Sequence, residues 1–210
     1  MNRPNSISFI SKLVYLFFIS VALYSCSNNP VIEPPPPPAG PLAIRTVSNL
    51  QADTALTGGY TYFRFSDSTV VTGADTATNK WDIAFRNTTI IINGGAVRFG
   101  SGGVFIQRNS SFDTVSIAPE NGYGVDTSAT QLAIKTGSGN GWYNYDFANN
   151  YVTPIPGTVL IIRTGDGKYA KVQIQSYYYN NDPQPFPNPE NYRYYTFRFV
   201  YQPDGSRNIK

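Results

Sequence analysis

The chain has 210 residues and no histidine, one cysteine and one methionine. Without histidine it loses the commonest general base, the commonest metal ligand and every Ser-His or Cys-His pairing. A zinc or copper site of ordinary composition is excluded with it. No phosphate-cradling or dinucleotide-binding glycine motif is present. Acid is also scarce, with only three glutamates, Glu33, Glu120 and Glu190. A hydrolase running on two carboxylates would have to use aspartates, and no pair has a spacing that singles it out. These absences argue against an enzyme. Charged residues make up 14% of the chain and the formal charge is +3. Removing Arg3 and Lys12, which lie in a segment read below as a leader, leaves 14 basic against 13 acidic residues. No basic stripe of the kind that neutralises phosphates remains, so nucleic acid is not an expected partner.

What the chain does have begins at its N-terminus. Met1 to Lys12 carries two positive charges and no acid, Leu13 to Ser25 is apolar, and Cys26 follows. This is the layout of an export signal, and the apolar run is short for a membrane span of about 20 residues. Leu23-Tyr24-Ser25-Cys26 is similar to a bacterial lipobox, in which the cysteine is acylated and becomes the new first residue. Lipidation accounts for a single cysteine in an exported chain. Residues 1–25 are therefore read as a lipoprotein signal and 26–41 as the lipidated Cys26 with a tether. Five consecutive prolines, Pro34 to Pro38, make that tether a semi-rigid spacer.

Residues 42–210 read as one β-rich domain. Tyr60 to Phe65, Trp81 to Arg86, Thr158 to Thr164, Lys168 to Tyr179 and Tyr194 to Tyr201 are runs of strand formers. In Trp81-Asp82-Ile83-Ala84-Phe85-Arg86 the alternation puts Trp81, Ile83 and Phe85 on one face, with Asp82 and Arg86 on the other. Asn93-Gly94-Gly95 reads as the turn of a hairpin, and Asp166-Gly167 as another. The best helix candidate, Ser111 to Val115, is short. Regularly spaced strands with turn signals predict an all-β sandwich or barrel-like domain. The Asp- and Asn-containing stretch at 73–79 lacks the dense carboxylates of a calcium loop and reads as turns.

Aromatic residues are 15% of the chain, and 16 of them are tyrosines. Tyrosine joins a large apolar face to a polar tip, which suits recognition surfaces. Most are expected to be half-buried strand residues, and some are expected to line a binding surface.

Taken in order, Trp81 to Phe85, residues 111–127, 141–146, 154–178 and 194–206 resemble the HmuY family of bacterial haem-binding lipoproteins. The resemblance implies an all-β HmuY-like fold with two packed antiparallel sheets and long loops at one end, where haem is held. It implies that the Trp81 segment is scaffold, with Asp82 bonding nearby backbone or Arg86. It also implies haem or porphyrin uptake without catalysis, an outer-membrane receptor as partner, and an outer-membrane location through the lipid anchor. The family's iron ligands, paired histidines or methionines, have no counterpart here. Tyrosine is the protein iron ligand this chain can supply. The family's ligand loops fall near 112–127 and 142–155. These give Tyr123 in the first, and Tyr143, Tyr145 and Tyr151 in the second, as candidate haem-binding residues. Clamping of haem between aromatic faces is the alternative to ligation. The competing function is an envelope protein whose tyrosine-rich surface binds a partner protein or a glycan. Replacing Cys26 with serine is expected to move the protein from the membrane to the soluble fraction of disrupted cells, read by immunoblotting of both.

Overall fold

A computed structural model describes residues 41–52, 59–182, 188 and 190–210. The signal, Cys26 and nearly all of the tether lie outside the described residues. Eleven strands are found among those described. They are β1 Arg45–Gln51, β2 Thr61–Arg64, β3 Thr69–Val71, β4 Ile83–Arg86, β5 Thr89–Ile92, β6 Gly103–Gln107, β7 Tyr143–Asp146, β8 Tyr151–Pro154, β9 Val159–Arg163, β10 Tyr169–Tyr178 and β11 Tyr192–Gln202. They form a five-stranded sheet in the order β1-β11-β10-β9-β6, a four-stranded sheet in the order β3-β2-β4-β5, and the two-stranded hairpin β7-β8. All pairings are antiparallel. The all-β fold of packed antiparallel sheets is the one observed, with a third, two-stranded sheet beside the two larger ones.

The core lies between the two larger sheets because inward-facing residues alternate along each strand. Phe63, Ile83, Phe85, Ile90 and Ile92 of the four-stranded sheet meet Leu160, Ile162, Val172, Phe197 and Phe199 of the other. Aromatic rings tie the layers together. Phe65 lies 5.1 Å from Phe199, Phe63 lies 5.4 Å from Phe197, and Phe85 lies 4.5 Å from Tyr195. Each such pair contributes about 0.5–1.5 kcal/mol beyond the area it buries. A second cluster covers the outer face of the five-stranded sheet, where Phe112 and Ala118 pack on Val159, Ile161 and Val200. Lys171, 3% exposed, reaches out of β10 to donate to the carbonyls of Phe112 and Val115 at 2.9 and 2.7 Å. This fastens the 111–115 segment, which forms a hydrogen-bonded turn in place of the expected short helix.

Trp81 departs from the expected pattern. β4 begins only at Ile83, so the alternation does not extend back to Trp81. Its ring packs with Val71, Ala84 and Ile91 on the outer face of the four-stranded sheet, opposite to Ile83 and Phe85. The hairpin turn also differs. β4 and β5 are joined by Asn87-Thr88, with Asn87 in the left-handed region at φ 49°, and not by residues 93–95. Asn93 is instead a buried tie. Its amide donates to the carbonyls of Thr78 and Trp81, and its oxygen accepts from the N–H of Gly100.

Asp82 is 4% exposed and accepts two backbone hydrogen bonds, from Phe65 N–H at 2.7 Å and from Gly165 N–H at 3.0 Å. The first donor follows β2 and the second opens the turn between β9 and β10, so one carboxylate joins the two sheets. Gly165 is needed at this approach, because a Cβ there would lie 2.4 Å from the Trp81 carbonyl oxygen. Burial pushes the Asp82 carboxyl up to about 6, against the two N–H donors that pull it down. An unfolded aspartate titrates near 4, so as pH rises from there to about 6 the unfolded chain loses its proton first and the folded state loses stability. Asp82→Asn turns an amide N–H toward one of the two donors. It is expected to cost about 1–3 kcal/mol, more at about pH 4 than at about pH 7, measured by urea denaturation at both.

Candidate functional site

β4 and β10 each run from the Asp82–Gly165 bridge toward the opposite end of the sandwich. There Asn87, at the β4–β5 turn, collects the ends of two core tyrosines. Tyr195 donates to its backbone carbonyl at 2.7 Å, and Tyr177 donates to its side-chain oxygen. Trp142 donates from its indole N–H to the carbonyl of Thr88 at 2.8 Å, which brings the start of β7 to the same corner. Its ring lies 5.2 Å from Tyr195 and 6.0 Å from Tyr177. The hairpin β7-β8 is then held upright by Tyr178, whose hydroxyl accepts the Val152 N–H at 2.7 Å.

The result is a cleft of about 380 Å³ lined by Asn87, Thr88, Asn150, Val152 and the tyrosines 143, 145, 151, 177, 178 and 192. That volume lies within the range of small-molecule sites, about 300–1,000 Å³. Two of the lining rings, those of Tyr177 and Tyr192, are almost parallel at 12°, with centres 6.4 Å apart. At the rim Tyr145 donates to the side-chain oxygen of Asn150, and its ring meets that of Phe147 edge-on at 4.8 Å. Phe147 is 84% exposed. Burial raises the hydroxyl pKa of Tyr177 and Tyr178 and places that of Tyr195 well above its ordinary value. The Arg193 guanidinium works against this at Tyr177, and the Val152 N–H works against it at Tyr178. Among the described residues no lysine, arginine or carboxylate is in the cleft lining. A larger hollow of about 560 Å³ shares Tyr192 with it, but Gln51 and Glu190 in its wall stand beside segments outside the described residues.

Three of the four candidate tyrosines therefore come together. Tyr143 and Tyr145 lie on β7 and Tyr151 opens β8. Tyr123 does not join them. It packs in the cluster on the outer face of the five-stranded sheet, against Phe105, with Arg163 over its ring at 5.3 Å. Its hydroxyl donates to the Pro119 carbonyl at 3.0 Å, and burial pushes its pKa up to about 12. The two regions expected to converge, 112–127 and 142–155, are thus divided by a sheet, since Phe112 and Tyr123 pack on its outer face whereas Tyr143 packs in the inner core. Tyr177, Tyr178, Tyr192 and Asn87 are site residues that the sequence reading did not select. The only signal was the Tyr177-Tyr178-Tyr179 run itself.

The residues present can be tested against haem. Ring faces suit a flat apolar body. For the iron, the side chains lining the cleft among the described residues offer phenol and amide oxygens and the Thr88 hydroxyl. Among the described residues no group of three His, Cys, Asp or Glu is placed to hold a metal ion.

An all-β sandwich with an aromatic cleft at one end defines a small-molecule binding protein. The HmuY protein family matches residues 57–192, and the chain belongs to that family. The family is a haem-binding one and not catalytic. No curated protein matches the chain. Among solved structures it is similar to a protein of Bacteroides fragilis assigned as a lipoprotein, at 18% identity and TM-score 0.47, over 76% of this chain and 91% of that one. It is similar to an apo HmuY analog of Tannerella forsythia, at 14% identity and TM-score 0.48, over 77% and 96%. A third is a protein of Bacteroides vulgatus assigned as HmuY-like and haem-binding, at 20% identity and TM-score 0.42, over 68% and 84%.

Tyr178→Phe removes the acceptor of the Val152 N–H. It is expected to cost about 1–3 kcal/mol in a denaturant titration and to speed amide exchange at Val152, with smaller effects on β10.

Proposed function

We propose that the protein captures haem or a related porphyrin in the cleft between Asn87 and the β7-β8 hairpin, from a lipid-anchored position on the bacterial outer membrane, and hands it on for uptake. The observation that carries this reading is the aromatic lining of a well-sized cleft in a chain of the HmuY family. Tyr143, Tyr145 and Tyr151 of the β7-β8 hairpin line it together with Tyr177 and Tyr178 of β10 and Tyr192 of β11. The division into a signal at 1–25, lipidated Cys26 with its tether at 26–41, and a binding domain at 42–210 belongs to the same proposal. A tether beginning at an acylated cysteine would hold the cleft away from the membrane, and an outer-membrane receptor is the natural recipient of the cargo.

The test is a titration of the purified chain with haem, followed by absorbance in both iron redox states. A saturable Soret shift at about micromolar haem or below supports the proposal. A response no larger than that of an unrelated control protein overturns it. Isolation of a stable envelope partner in that case would favour the protein- or glycan-binding alternative.

A further inference from the structure

We infer that the cleft recognises a planar tetrapyrrole by its ring faces and not by its metal, so that a metal-free porphyrin is held as well as haem. The inference rests on the porphyrin reading of the cleft and adds which feature of the ligand is recognised.

The donor inventory points this way first. Iron in a protein is held by histidine, cysteine, methionine or ionised tyrosine. The chain has no histidine, its one cysteine and one methionine are Cys26 and Met1, and both lie outside the described residues. That leaves the six tyrosines of the cleft. Three of their hydroxyls are already engaged. Tyr177 donates to Asn87, Tyr145 donates to Asn150, and Tyr178 accepts from Val152. Tyr143, Tyr151 and Tyr192 have no hydrogen-bond partner for their hydroxyls among the described residues.

A phenol becomes a firm ferric ligand only by losing its proton, and a neighbouring cation is what makes that loss easy. Among the described residues none is in the cleft lining. One guanidinium, that of Arg193, acts on the Tyr177 hydroxyl from outside the lining, and burial outweighs it. Arg193 lies 4.7 Å from the ring centre of Tyr192, and Arg86 lies 4.5 Å from that of Tyr60. Arg193 faces the neighbouring hollow. What the cleft does supply is aromatic rings, with Tyr145, Tyr151 and Tyr192 half-buried and Tyr143, Tyr177 and Tyr178 buried. The rings of Tyr177 and Tyr192 lie within 12° of parallel. Stacking on aromatic side chains depends on the π-face of the guest and is indifferent to an atom at its centre.

The experiment is a pair of equilibrium titrations of the full chain, one with ferric haem and one with metal-free protoporphyrin, read by quenching of tryptophan emission. Trp142 beside the cleft is the reporter. The two dissociation constants are expected to agree within about threefold, because a lost metal–ligand bond would separate them by far more. Tyr151→Ala, which removes a wall ring, is expected to weaken both ligands by the same factor, about tenfold. Binding of haem with metal-free porphyrin at least about a hundredfold weaker overturns the inference and leaves the haem reading standing. So does a phenolate-to-iron charge-transfer band in the ferric complex, or a Tyr151→Ala loss confined to haem. If neither porphyrin binds, the haem reading falls and the inference falls with it.

Discussion

One carboxylate decides how the two sheets of this protein lie on each other. The core between them is largely phenylalanine, isoleucine and valine, and such layers tolerate more than one relative offset at similar cost. Asp82 does not. It takes an N–H from the end of β2 and another from the β9–β10 turn, and a slip of either sheet by a fraction of a residue breaks one of them. Gly165 has to be glycine for that contact, and Asn93 braces the same corner through the Trp81 carbonyl. Burying a carboxylate is costly, and the two donors offset only part of that cost, since burial still raises its pKa. The bridge fixes which aromatic rings face each other, and the ring series running away from it ends at Tyr195 and the cleft floor.

Much of this architecture was legible in the residues. β10 alternates over Ala170 to Gln175, and Asp166-Gly167 announces the turn before it. The family resemblance gave the Trp81 segment as scaffold and left Asp82 to bond either nearby backbone or Arg86; it accepts from the backbone of Phe65 and Gly165. Those partners were not legible, because an N–H donor 83 residues away leaves no mark in local pattern. Trp81 misled because alternation holds only where the backbone is extended, and the strand starts two residues later. Asn87-Thr88 was missed as a turn for lack of glycine, although asparagine tolerates the left-handed region for its own reasons.

The site was legible by residue type and only partly by position. Tyr143, Tyr145 and Tyr151 sit on two short paired strands, so their convergence is a local matter. Tyr123 belongs to residues 108–142, a stretch without a regular strand that is pinned at intervals by the Val104–Gly124 bridge and by Asp126. Asp126 is fully buried and accepts from Ala133 N–H at 3.0 Å while pairing with Arg98 at 3.0 Å. Which face of a sheet such a stretch covers is set by those few long-range ties, and sequence spacing does not encode it. Tyr177 and Tyr178 read as ordinary strand residues, which they are. They line the cleft from the end of β10 while still belonging to the core.

The two sheets are tied at both ends, and this has a mechanical consequence. β10 spans ten residues between the ties, roughly 33 Å. The Asp82 carboxylate holds the β9–β10 turn at one end, and Asn87 takes the hydroxyls of Tyr177 and Tyr195 at the other. With a tie at each end, neither sheet can swing on the other about a single pivot, and the floor of the cleft is a clamped edge. The β7-β8 hairpin is fastened to that edge by two side chains, Trp142 and Tyr178.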